Sequence, residues 1–235
     1  MIDTSNTPAH VVLTGAAGAL GRAVAQHFLA QGARLALLDH HADKLAQTFP
    51  GLDNSQHLLI ACDVTSTASM HDAATQVLTS FQKVDTLVHI AGGFEMGAQV
   101  HELDRASWDR MMNLNAWSFV AVAQSFVPSM IEQKVGSVIA VTAATAARGQ
   151  AAMSAYIASK SALQRLVEAM AAELAPKGVR VNSIAPTVLD TPANRQAMPD
   201  ANPDGWVSTA VAAQTIAFLA SPGASALHGR HLLLD

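Results

Sequence analysis

The sequence predicts an α/β fold: a doubly wound parallel sheet with helices on both faces. Three observations carry that expectation. Short apolar runs of strand length alternate with longer helical patterns, no repeat interrupts the alternation, and most runs stop at Gly, Asp or Ala-Gly. Strands covered on both faces read as near-continuous apolar runs rather than as alternating ones, and these do. The 235 residues suit one large domain, residues 1–235, long enough to bury a substantial core.

Taken in order, residues 10–14 form a short β-branched run that stops at Gly15. Apolar residues then recur at helical spacing over 20–31, with Gly32 as the stop. Strands follow at 34–38 and 58–61, the first ending at Asp39 and the second just before Asp63. A helix is expected over 66–81 and a fourth strand over 84–90, closing at Ala91-Gly92-Gly93. Helical patterns fill 107–131 and 154–175, on either side of a strand at 137–141. A strand at 179–185, a helix at 207–220 and a last strand at 231–234 complete the alternation. Between them, 187–206 carries Pro192, Pro199 and Pro203 and reads as an irregular loop, the kind that often binds ligand.

Composition narrows the function classes. Half of the residues are hydrophobic and 14% are charged, which suits a packed globular chain. The net charge of -4, with no basic run, argues against sequence-independent nucleic-acid binding, which requires phosphate neutralisation. The single cysteine, Cys62, allows no internal disulfide and suits a reducing compartment. Residues 1–7 are polar, and no stretch reaches the roughly 18 uninterrupted apolar residues of a membrane span. A cytoplasmic protein without a membrane partner is expected. The ten histidines are scattered, with His40-His41 the one cluster, so no metal site is expected.

Ligands in open α/β sheets bind beyond the carboxyl ends of the strands. After the first strand comes Thr14-Gly15-Ala16-Ala17-Gly18-Ala19-Leu20-Gly21, leading into a helix. Gly15 permits a tight turn, and small residues let the backbone approach a pyrophosphate at the helix N-terminus. Asp39 follows 18 residues after Gly21, placed to accept from a ribose 2′-hydroxyl. A carboxylate there repels a 2′-phosphate, so NAD is favoured over NADP. Tyr156, the only tyrosine, and Lys160 share a helix face one turn apart. A phenol of pKa ~10 needs a shift of about 3 units to act as a base at neutral pH. An ammonium about 4 Å away, at an effective dielectric of about 20, supplies that much.

These pieces, with Asp63-Val64, Ala91-Gly92, Asn115 and Val181-Asn182-Ser183-Ile184-Ala185-Pro186, resemble the short-chain dehydrogenase/reductase family across nearly the whole chain. The resemblance implies a seven-stranded Rossmann domain that transfers hydride between a nicotinamide cofactor and a small alcohol or carbonyl. It implies Tyr156 as acid/base, with Lys160 binding the nicotinamide ribose and lowering the phenol pKa. It further implies Asn115 holding a relay water, Asp63 at the adenine and Thr191 at the carboxamide. Gly15, Gly18, Leu20, Gly21, Asp39, Val64, Ala91, Gly92 and Pro186 join Lys160, Asp63 and Thr191 as expected cofactor contacts. Relatives form homodimers or homotetramers through helices matching 107–131 and 154–175.

The chain departs from the family pattern at one chemically important position. The usual serine, 13 residues before the tyrosine, is Ala143 here. Losing such a donor typically costs about 10²–10³ in rate. Thr145 is the expected substitute, because Thr142, one residue along the strand, points to the other face. Ala143 therefore keeps a second reading open, a dinucleotide-binding sensor or assembly partner. An NADPH-dependent reductase is a third. His89-Ile90 replaces two asparagines, and His89 reads as a packed strand-end residue. Phe94, Met96, Met153, Met198 and Trp206 fall near the carboxyl edge and suggest an apolar substrate pocket. Arg148 and Arg195 are weighed as anchors for a substrate carboxylate against solvated surface charges.

Overall fold

The computed structural model describes residues 8–235; residues 1–7, read above as polar, lie outside the described residues. In chain order the elements are β1 (His10–Thr14), α1 (Ala19–Ala30), β2 (Arg34–Asp39), α2 (Ala42–Thr48), β3 (Leu58–Ala61), α3 (Thr67–Phe81) and β4 (Thr86–His89). The second half runs α4 (Arg105–Met112), α5 (Ser118–Gln133), β5 (Gly136–Val141), α6 (Ser154–Leu174), β6 (Val179–Pro186), β7 (Leu189–Asp190), α7 (Pro192–Ala197), β8 (Val207–Ser208), α8 (Thr209–Ala220) and β9 (His231–Leu234). Seven strands form one parallel sheet in the order β3-β2-β1-β4-β5-β6-β9.

Successive strand residues face opposite sides, and that alternation builds two cores. Val12, Ala36 and Leu38 point to the side covered by α3, α5 and α6, where they meet Met70, Val77, Phe119, Phe126 and Leu163. Val11, Leu13, Leu35 and Leu37 point to the other side, against Val24 and Phe28 of α1 and Ile216 and Leu219 of α8. The stretch Arg105–Gln133 is long and apolar enough to cross a membrane by length and composition, yet half of its apolar window is buried inside this fold. The chain order reverses between β1 and β4, which pair in parallel with Thr14 opposite His89. Their carboxyl ends therefore open a crevice at the switch point.

Four local expectations need correction. Residues 42–48 form α2, a polar helix in which Leu45 is the buried residue, too short to show a periodic stripe. The helical run predicted over 107–131 begins at Arg105 and is interrupted by a wide i→i+5 turn at Asn113–Trp117. The 187–206 loop is partly ordered: the Thr191 side chain accepts the Asn194 N–H at 3.1 Å and caps α7. Val207–Ser208 pairs with Leu189–Asp190, so the last helix starts at Thr209, capped by the Ser208 side chain.

One side chain closes the end of α8. The Arg180 guanidinium on β6 donates to the carbonyls of Leu219 (2.7 Å), Ala224 (3.1 Å), Ala220 (3.2 Å) and Ser221 (3.1 Å). Helices leave their last carbonyls without intrahelical partners, and a cation there also complements the helix dipole.

Candidate active site

The carboxyl ends of β1 to β4 open onto a cleft of about 840 Å³, within the range of small-molecule and cofactor sites. Gly15, Gly18, Leu20, Gly21, Asp39, Asp63, Val64, Ala91, Gly92 and Thr191 line it, joined by His40, Lys44 and Cys62. Lys160 and Pro186 do not: Lys160 is buried on α6, against the Gly92 turn, and Pro186 ends β6, buried.

The cleft suits a dinucleotide. Gly15 has φ +68°, and a Cβ there would stand 2.8 Å from the Ala91 nitrogen, so the turn requires glycine. Gly18 begins α1 without any side-chain cap, leaving the first-turn amides to an anion. On the rim, Asp39 accepts the Ala17 and His40 N–H groups, each at 2.9 Å. Asp63 accepts from the Thr65 hydroxyl (2.7 Å) and N–H (2.8 Å), which holds its carboxyl below the usual range. Burial pushes the Cys62 thiol up to about 11. His40, Lys44 and Cys62 were not assigned to the site from the sequence, although His40 directly follows Asp39 and Cys62 directly precedes Asp63.

Deeper in, three helix residues converge on the turn after β4. Asn115 sits in the wide turn, fully buried. Its amide donates to the Gly93 carbonyl (3.0 Å) and to Ser159 Oγ (2.9 Å), while its oxygen accepts the Gly93 N–H (2.9 Å). Ser159 Oγ donates to the Tyr156 carbonyl at 2.7 Å. Lys160 Nζ donates to the Val141 carbonyl at 3.0 Å. A Cβ on Gly92 would stand 2.7 Å from the Asn115 oxygen and 3.1 Å from Lys160 Nζ, so the turn packs directly on both. Ser159 was not singled out in the sequence, although a small hydroxyl residue just before Lys160 was visible.

The expectation that Lys160 lowers the Tyr156 phenol is not met. Burial acts on Tyr156 and pushes it up to about 12, while burial brings the Lys160 ammonium down to about 8. The ammonium points to the Val141 carbonyl instead. The linkage has a definite sign. Between about 8 and 10.5 the unfolded chain holds a proton on Lys160 that the folded chain has released, so this group's destabilising effect is relieved as pH rises through that window. Urea unfolding at pH 7.5 and 10 should show a smaller alkaline loss of stability in the wild type than in Lys160→Met.

Around the vacant serine position the hydroxyls divide clearly. Ala143 is buried at the end of β5. Thr142 Oγ1 donates to the Ile184 carbonyl at 2.9 Å, as its strand parity predicts. Thr145 lies on the 3₁₀ turn Ala144–Ala147, and its Oγ1 is buried with no partner among the described residues. That turn is tied to α6 by Ser161 Oγ, which donates to the Ala146 carbonyl at 2.9 Å.

Phe94 packs edge-on to Tyr156, ring centres 4.9 Å apart, yet is 58% exposed. Met96 and Met198 are also exposed, whereas Met153 and Trp206 are half-buried. Arg195 is no free anchor: its guanidinium is paired with Asp190, Nε to Oδ1 at 2.6 Å. Arg148 is exposed. Among the described residues, no group of three His, Cys, Asp or Glu side chains converges as a metal site.

A glycine-lined cleft at the switch point, beside a Tyr-x-x-x-Lys helix, is the architecture of a dinucleotide-dependent oxidoreductase. Residues 9–202 match the short chain dehydrogenase profile. The chain is 33% identical to D-threitol dehydrogenase of Mycolicibacterium smegmatis, covering 95% of this chain and 90% of that one. It is 32% identical to cis-4-hydroxycyclohexanecarboxylate dehydrogenase of Sinomonas cyclohexanicum, covering 95% and 94%. The fold matches 3-ketoacyl-(acyl-carrier-protein) reductase from Brucella melitensis complexed with NADH, with a TM-score of 0.87, 24% identity and 97% and 96% coverage. The chain belongs to the short-chain dehydrogenase/reductase family, and its relatives support an enzyme of the oxidoreductase class.

Proposed function

We propose that this chain is an NAD-dependent dehydrogenase or reductase acting on a small, largely apolar alcohol or carbonyl, with Tyr156 as acid/base. The observation that carries the reading is the packing of the Gly92–Gly93 turn on Asn115 and on Lys160, the latter one turn from Tyr156 on α6. Bound NAD supplies the hydride chemistry. Gly15, Gly18, Leu20, Gly21, Asp63, Val64, Ala91, Gly92 and Thr191 hold the dinucleotide, and Lys160 binds the nicotinamide ribose. Asn115 positions a relay water, and the phenol of Tyr156 gives its proton to the carbonyl oxygen during reduction. The exposed ring of Phe94 beside that phenol supports an apolar substrate face.

Thr145 replaces the missing serine, supported by its buried hydroxyl, which has no partner among the described residues. Thr145→Val should lower kcat about 10²-fold while leaving NADH affinity unchanged. NAD is preferred because Asp39 offers a carboxylate at the ribose position. Asp39→Ser should move the ratio of NADPH to NADH efficiency upward by about tenfold or more, helped by Lys44 on the same cleft. Both effects are read by initial rates with each coenzyme.

The decisive experiment is NADH oxidation against a panel of ketones, diketones and quinones. Turnover that Tyr156→Phe abolishes supports the enzyme. NADH binding without turnover of any panel member favours the dinucleotide sensor, the reading that Ala143 keeps open. A cytoplasmic site of action is supported by the single free Cys62. Assembly as a homodimer or homotetramer is supported by an apolar groove between the wide turn and α6, lined by Met112, Trp117, Val120, Leu166 and Ala169.

A further inference from the structure

The His89 imidazole lies at the end of β4, fully buried and edge-on to Phe119, and its neighbours fix which nitrogen carries the proton. Ser118 spends its one hydroxyl proton on the Leu114 carbonyl at 2.7 Å. Against His89 Nε2, 3.2 Å away, Ser118 Oγ can then only accept, so Nε2 bears the ring hydrogen. Burial, together with the Lys160 charge, pushes the imidazole down to about 3, so the ring is neutral and Nδ1 is bare. Nδ1 accepts from the Thr14 hydroxyl at 3.0 Å, and Thr14 Oγ1 accepts the Ala91 N–H at 3.3 Å.

Donation therefore runs one way, from Ala91 N–H through Thr14, His89 and Ser118 to the Leu114 carbonyl. Aligned hydrogen bonds of this kind reinforce one another. The path also closes on itself. Leu114 is covalently followed by Asn115, whose side chain bonds twice to Gly93, two residues beyond Ala91. The ring thus encloses both the turn that lines the cofactor cleft and the residue assigned to the proton relay.

We propose that His89 is a positioning residue: held in its Nε2–H tautomer, it locks Asn115 and the Ala91–Gly93 turn in register with one another. The proposal rests on the role given to Asn115 above, so its test separates the two. Two-bond ¹H–¹⁵N spectra of the full chain at pH 7, with the His89 signals assigned by their loss in His89→Leu, read the tautomer without turnover. NADH fluorescence titration reads the turn in the same way.

We expect an Nε2–H ring and, in His89→Leu, NADH binding weakened several-fold. We expect kcat for the best panel substrate to fall about tenfold or more, with partial recovery in His89→Gln, which restores a donor toward Ser118. An Nδ1–H or doubly protonated ring overturns the proposal, as does His89→Leu with wild-type NADH affinity. Losses that scale only with the unfolded fraction, measured by thermal melting under assay conditions, overturn it too. If neither the wild type nor any variant turns over substrate, the enzymatic reading fails while the tautomer and NADH results still decide the role of His89.

Discussion

Replacing Tyr156 by phenylalanine should lower kcat/KM for carbonyl reduction by about 10³-fold, inside the 10²–10⁴ range of a positioned acid. NADH affinity should stay within about threefold, because phenylalanine removes only the hydroxyl that serves the proton transfer. The substitution preserves the ring, its edge contact with Phe94 and its burial. It also removes a hydroxyl without stripping a partner of any hydrogen bond among the described residues, so folding should be unaffected. Steady-state kinetics together with a thermal melt check both halves. A variant that keeps its rate would show that the proton comes from elsewhere.

Arg180→Met should cost about 3 kcal/mol of stability, because it strips a charged donor from four carbonyls, two ending α8 and two in the turn that follows it. For a chain of this size that corresponds to a drop in Tm of roughly 6–12 °C. The methionine keeps the aliphatic bulk, so the loss reports the hydrogen bonds rather than a cavity. Differential scanning calorimetry measures it. Coenzyme binding in the folded fraction should persist, because β6 and the end of α8 lie outside the nucleotide cleft.

How much of this was legible follows from how local each signal is. The strands of the large sheet stood out because each is a short apolar run with a stop residue, and the cleft residues follow those stops: Gly15 after β1, Asp39 at the end of β2, Asp63 after β3, Ala91 after β4. The short helix α2 was missed because one buried leucine makes no period. The ribbon of β7 and β8 was missed because two-residue strands carry no pattern of their own. The candidate site divides in the same way. Asn115, Tyr156 and Lys160 were marked by residue type and spacing. The pairing of His89 with Thr14, 75 residues distant, and with Ser118, 29 residues distant, depends on strand order, which no local window contains. The direction of the Tyr156 shift was misjudged for a related reason: proximity on a helix face says nothing of where the lysine terminus turns, and here it turns to Val141.

The wide turn at Asn113–Trp117 has a consequence for how this molecule tolerates length changes. An extra residue per turn offsets the angular phase of α5 from that of α4. Deleting one residue there would regularise the helix and leave the faces beyond it nearly in place, because the wide turn takes up one surplus residue within a single turn. Asn115, inside the turn, would lose its place against Gly93, whereas Ser118 beyond it would keep its approach to His89. The segment is where the chain stores one residue of surplus length, and losing it falls on the Asn115 contact rather than on the course of α5.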